Sequence, residues 1–110
     1  MSPRLVMYMS PWCINCLDTQ EALDEWHVNY VNIDIKKDKN AASRVRAWTG
    51  FESVPTLILA DDGSLEPNAK PDPLAPGISP RGVDRGTMLT EPTRKQLRAW
   101  LIKNGIVAEY

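Results

Sequence analysis

A chain of 110 residues is near the commonest size for one domain and can bury one ordinary core, so residues 1–110 are read as a single unit with no second domain. Charged residues make up 25% and nearly cancel to a net charge of −1, which leaves no electrostatic footprint for nucleic acid or an anionic membrane as partner. The first apolar run is about five residues, short of the roughly 7–15 of a signal-peptide core and the roughly 20 of a membrane span, so a soluble, cytoplasmic monomer is expected.

Arg4 to Met9 reads as the first strand, because Leu5, Val6, Met7 and Tyr8 form a near-continuous apolar run suited to burial on both faces. Ser10-Pro11 breaks it. From Cys13 the pattern turns helical, with Ile14, Leu17, Ala22, Leu23 and Trp26 expected inward and Asp18, Gln20, Glu21, Asp24 and Glu25 outward, ending near His27. Asn29 to Ile35 alternates and gives a second strand, parallel to the first across the helical crossover. Lys36 to Asn40 is a charged, solvated turn in which Asp38 or Asn40 caps a second helix. Ala41, Ala42, Val45 and Trp48 lie at helical spacing there, and Gly50 stops it.

Val54 to Ala60 is a third apolar strand. A proline cannot donate to a ladder, so Pro55 belongs at its start, and Val54-Pro55 is a candidate cis peptide. Asp61-Asp62-Gly63-Ser64 is a turn signal that sets the following strand antiparallel. Residues 66–85 then hold Pro67, Pro71, Pro73, Pro76 and Pro80 with few large apolar side chains, and read as an extended, partly mobile loop. Gly86 to Leu89 is a short fourth strand. Thr90-Glu91-Pro92-Thr93 opens a last helix, with Pro92 expected in its first turn, Leu97, Trp100 and Leu101 inward, and Asn104-Gly105 as its end. The order is β-α-β-α-β-β-α, an α/β fold with a long insertion between the last two strands.

The chemistry of the chain is carried by Cys13 and Cys16. A cysteine that opens a helix meets unpaired backbone N–H groups and the positive end of the dipole, which favour a thiolate. Cys13 is therefore the expected nucleophile, and Cys16, one turn on and buried, the expected resolving thiol. A structural zinc site needs two further ligands, which one histidine cannot supply, so no bound metal or cofactor is expected. Trp12 either contacts the substrate and shields the sulfur or simply closes the turn. Tyr8 is read as buried, with a hydroxyl able to approach the cysteines. Trp26, Trp48 and Trp100 are assigned to the core, and His27 to a charge at a helix C-terminus.

This order, with Trp12-Cys13-Ile14-Asn15-Cys16 after the first strand and Ser53-Val54-Pro55-Thr56 before the third, resembles the thioredoxin superfamily. Within it the chain is most similar to small bacterial glutaredoxins, including mycoredoxins and the glutaredoxin-like electron donors of ribonucleotide reductase. Met7-Tyr8 leading to Ser10-Pro11, the Asp62-Gly63-Ser64 turn and Glu91-Pro92-Thr93 add to the likeness, which covers all but about residues 65–87. The resemblance implies a thioredoxin fold around a central four-stranded mixed sheet. It also implies a thiol-disulfide oxidoreductase serving electron transport and cell redox homeostasis, with Cys13 and Cys16 catalytic. A cis Pro55 would lie against them, and the Val54 backbone would pair with substrate. Disulfide-containing proteins, among them ribonucleotide reductase, are the implied substrates. The implied electron donor is a low-molecular-weight thiol of the glutathione or mycothiol type, or a flavoprotein reductase. Ile14-Asn15 is neither Pro-Tyr nor Gly-Pro, so the redox potential does not carry over. Thr90 and Glu91 stand where glutaredoxins place Gly-Gly for the γ-glutamyl group, and an acidic side chain there repels a carboxylate. A redox-sensing or iron-sulfur cluster-binding module using the same cysteines is the alternative reading.

Overall fold

Strand β1, Arg4–Met9, lies at the centre of the architecture because both its faces are apolar: Leu5, Met7 and Met9 alternate with Val6 and Tyr8, and all five are buried. In the computed structural model residues 4–108 are described; Met1–Pro3 and Glu109–Tyr110, the ends of the expected domain, lie outside them. The remaining elements are α1 (Ile14–Glu25), β2 (Val31–Asp34), α2 (Lys39–Thr49), β3 (Thr56–Ala60), β4 (Met88–Thr90) and α3 (Arg94–Lys103). They build one four-stranded sheet in the order β2-β1-β3-β4. Strand β2 runs parallel to β1 with Val6 opposite Val31, and β3 runs antiparallel to β1 with Val6 opposite Ile58. Strand β4 pairs antiparallel to β3, Leu57 opposite Leu89. Among the described residues no helix is long and apolar enough to cross a membrane.

The strand alternation divides the core into two layers. Leu5, Met7, Met9, Leu57, Leu59 and Leu89 pack with Cys16, Ala22 and Leu23 of α1 and Leu97, Trp100 and Leu101 of α3. Val6, Tyr8, Ile58, Ala60 and Met88 pack with Ala41, Ala42 and Val45 of α2 on the other face. Each large aliphatic side chain so buried contributes roughly 1.5–3 kcal/mol, which is why the two-period pattern of a six-residue strand can fix its register.

The helix ends follow local chemistry. Of the two expected caps for α2, Asp38 serves: its carboxylate accepts from the N–H groups of Asn40 and Ala41, at 3.0 and 3.2 Å. Gly50 closes that helix at φ 82°, in the left-handed region. The last helix starts later than expected. Thr93 is its cap, and its hydroxyl accepts from Gln96 N–H at 3.1 Å while Gln96 Oε1 accepts from Thr93 N–H at 2.9 Å. Pro92 and Glu91 therefore precede the helix, and no acidic residue lies in its first turn. The reciprocal cap satisfies two helix-end donors and displaces the proline from that role.

The second correction concerns α1. Its buried residues are Cys16, Thr19, Ala22 and Leu23, whereas Ile14 is 84% and Leu17 is 49% exposed. Leu17 lies a quarter turn from Cys16, so burying the latter rotates Ile14 and Leu17 toward solvent.

The Pro-rich stretch lies in the long connection between β3 and β4 and is tied to the body at many points. The turn at Asp61–Ser64 forms, with Ser64 N–H donating to Asp61 O at 2.9 Å, yet it opens the insertion instead of returning directly to β4. Asn68 N–H donates to Leu59 O at 2.8 Å, and Thr87 Oγ1–H to Ala69 O at 2.8 Å. Arg81 and Asp84 form isolated bridges with Thr90 and Leu89. Arg85, 8% exposed, is the deepest tie: Nε donates to Asp72 O and Nη1 to Trp48 O, each at 2.7 Å. Burial lowers the proton affinity of this guanidinium below the ordinary arginine value.

Candidate functional site

The break Ser10-Pro11 ends β1 at the sheet's rim and delivers Cys13 to the start of α1. Cys13 is the N-cap residue, extended at φ −90° and ψ 114°, and its Sγ accepts the N–H of Cys16 at 3.1 Å. One of the orphan donors of the helix end is thus aimed at the sulfur. Cys13 Sγ–H in turn faces the carbonyl of Val54 at 3.5 Å. The Val54-Pro55 bond is cis, as the sequence reading expected, and Pro55 is buried at the start of β3. Cys13 is partly exposed while Cys16 is fully buried, and the two are free thiols in this structure.

The difference in burial separates the two sulfurs chemically. Burial above all, then the bond to Cys13, holds the Cys16 thiol far above the ordinary thiol range, and the charge of Glu91 pushes the same way. Cys16 is therefore the protonated partner at neutral pH. Its neutral form is favoured in the folded chain, so this stability is complete below the unfolded-chain value of about 8.5. It is lost as pH rises above that, by at most about 1.4 kcal/mol per pH unit. Urea midpoints of the reduced protein are expected to fall between about pH 8.5 and 9.5, and Cys16→Ala to flatten that fall.

The other sequence-derived site residues divide. Trp12 is 88% exposed beside Cys13, and with Ile14 and Leu17 it presents an apolar surface at the opening of α1. The expected inward placement of those two aliphatic residues hid this surface. Fixing the helix rotation on Cys16 would have revealed it. Glu91 lies at the rim with φ 46°, its N–H donating to Pro55 O at 2.7 Å. Thr90 does not offer its side chain to a substrate, because it is buried and its hydroxyl pairs with Thr56 Oγ1 at 3.0 Å. Tyr8 is not brought to the cysteines. Strand alternation turns it to the α2 side of the sheet, where its hydroxyl donates to Leu65 O and accepts from Arg44 Nε at 3.1 Å. Its ring meets Trp48 edge-on at 5.3 Å. Trp100 is core, Trp26 and Trp48 are partly buried against it, and His27 is exposed just past α1 at φ 55°.

Two clefts lie elsewhere, one of about 490 Å³ between Arg4, Tyr30 and Ile106 and another between Lys36, Ser43 and Glu52. Neither includes a cysteine.

A helix-capping cysteine, a buried partner one turn on and a cis proline beside them, on a β-α-β-α-β-β-α sheet, define a thioredoxin-fold protein with a Cys-x-x-Cys dithiol. The family model described as Glutaredoxin matches residues 5–63, more than half of the chain, and the chain belongs to the glutaredoxin family. The matched residues stop just before the Pro-rich connection between β3 and β4. Among solved structures the chain is similar to the holo form of glutaredoxin C1 from Populus tremula x tremuloides, at 20% identity and a TM-score of 0.45. That match covers 53% of this chain and 59% of the poplar chain, so the chain spans less than two thirds of that protein's length. No curated protein matches it.

Proposed function

We propose that this protein is a thiol-disulfide oxidoreductase that reduces protein disulfides or mixed disulfides of low-molecular-weight thiols. The observation that carries the reading is the pairing of a partly exposed Cys13 sulfur, served by a helix N-terminal amide, with a buried, protonated Cys16. In the first step Cys13 thiolate attacks one sulfur of RS–SR′, forming Cys13–S–S–R and expelling R′S⁻, which takes a proton from solvent. In the second, Cys16 loses its proton and attacks Cys13 Sγ, releasing RS⁻. The protein dithiol is oxidised to a disulfide and the substrate is reduced to two thiols. Val54 and Pro55 flank the approach to Cys13, and Trp12 supplies an apolar contact to the substrate. A low-molecular-weight thiol or a flavoprotein reductase, acting in the cytoplasm, returns the electrons. Disulfide-forming enzymes such as ribonucleotide reductase are fitting substrates.

The test is a coupled assay of NADPH consumption with glutathione plus its reductase, or with thioredoxin reductase, against a small mixed disulfide and a protein disulfide. Turnover with one electron source establishes the activity and its donor. An oxidisable Cys13–Cys16 pair that turns over with neither these nor a mycothiol-type donor overturns the reading.

A further inference from the structure

Glu91 places a negative charge at the rim of the dithiol, and it is held there by the fold. Glu91 has a left-handed backbone that non-glycine residues rarely adopt. It is fixed from below by its N–H bond to Pro55 O at 2.7 Å. Thr90, the residue before, is fixed by the Thr56 hydroxyl and by Gly82 N–H, which donates to Thr90 O at 2.7 Å. Cys13 meets the carbonyl of Val54 and Glu91 that of Pro55, so the thiol and the acidic residue are anchored on consecutive carbonyls of one segment. The influence of Glu91 on the buried Cys16 agrees with this proximity.

The next cation offers no compensation. Arg94, at the first turn of α3, is taken up by Asp18 at 3.0 Å, Glu25 at 2.6 Å and Glu21 at 3.6 Å, all on α1. Three carboxylates around one guanidinium leave that helix-helix seam negative as well. The exposed side chains that flank Cys13 in the chain, Trp12 and Ile14, and Leu17 one turn on are apolar.

We propose that Glu91 is a specificity-determining residue that makes Cys13 select disulfides with uncharged or cationic groups near the reacting sulfur, and disfavour those carrying carboxylates there. This rests on the oxidoreductase reading above. A unit charge within about a Debye length of a reacting sulfur, in surroundings between water and a protein surface, changes the rate about three- to tenfold in either direction. The effect is largest at low ionic strength, because salt screens partly exposed charges over about 10 Å at 0.1 M.

The experiment measures second-order rate constants for oxidation of the reduced full chain by three symmetric disulfides. These are oxidised glutathione, which carries carboxylates, bis(2-hydroxyethyl) disulfide, which is neutral, and cystamine, which carries ammonium groups. Each rate is normalised to that of a small free thiol with the same disulfide, at about 20 mM and about 500 mM salt. The wild-type order is expected to be cystamine, hydroxyethyl disulfide, glutathione disulfide. The cystamine-to-glutathione ratio is expected to fall about tenfold in Glu91→Gln, in Glu91→Gly, which also relieves the backbone, and in high salt. A ratio in both variants within twofold of wild type, while the neutral disulfide still reacts, overturns the proposal and leaves the oxidoreductase reading intact. No reaction with any of the three overturns both.

Discussion

Cys13→Ser is expected to lower disulfide turnover to the solution background, a loss of about 10³-fold or more, whatever the substrate. A hydroxyl in the same N-cap position still accepts the Cys16 N–H, so the fold survives, but it is not ionised near neutral pH and cannot form the mixed disulfide. Cys16→Ser acts differently. It leaves the first attack in place and removes the second, so protein disulfides are expected to trap the chain as a covalent adduct at Cys13 and multiple turnover to fall about tenfold or more. Small mixed disulfides, which an external thiol can resolve, lose less. Coupled turnover and intact-mass detection of the adduct check both variants, and an active Cys13→Ser beside an inactive Cys16→Ser would reverse the assignment.

The second large effect is on stability. Arg85→Ala removes the donors to Asp72 O and Trp48 O from a side chain that is 8% exposed, and leaves a cavity beside Met88. Two carbonyls lose charge-assisted bonds at once, so a destabilisation of about 3 kcal/mol is expected. For a chain of this size that lowers Tm by roughly 10–15 °C. Urea unfolding measures the first quantity, and limited proteolysis with mass mapping shows whether cleavage between residues 61 and 87 appears before global unfolding. A variant within about 0.5 kcal/mol of wild type, uncleaved there, would mean that the insertion holds without its arginine.

Much of the fold was legible because its signals are local. The alternation and apolar content of Leu5 to Met9 and of Val54 to Ala60 specify buried strands. Asp38 and Gly50 punctuate α2, and the Cys-x-x-Cys at the strand-to-helix junction marks the candidate site. What the sequence concealed depends on contacts between distant segments. Arg85 looks like any polar loop residue until Trp48 and Asp72 are brought beside it. Arg94 reads as a solvent-facing helix charge, and only the packing of α3 along α1 turns it toward Asp18, Glu21 and Glu25. Tyr8 was legible as buried, but its facing was settled by a single step of strand parity. The orientation of Ile14 and Leu17 was misjudged because the apolar count of the helix outweighed the demand that Cys16 be inside.

The bridges between the Pro-rich segment and β4 have a consequence for how the protein behaves in crowded solution. A border strand with free backbone donors and acceptors is a template onto which another chain can add. Here Gly82 and Arg85 N–H groups already occupy the carbonyls of Thr90 and Met88. The five prolines of the covering segment cannot themselves donate to a newcomer. Among the described residues only β2, four residues long with an exposed Asn32 and with Asp34 at its end, remains as a border, a poor template for growth. The connection thus covers backbone acceptors along the β4 border, and a chain from which it is peeled away is expected to leave that border open to strand addition.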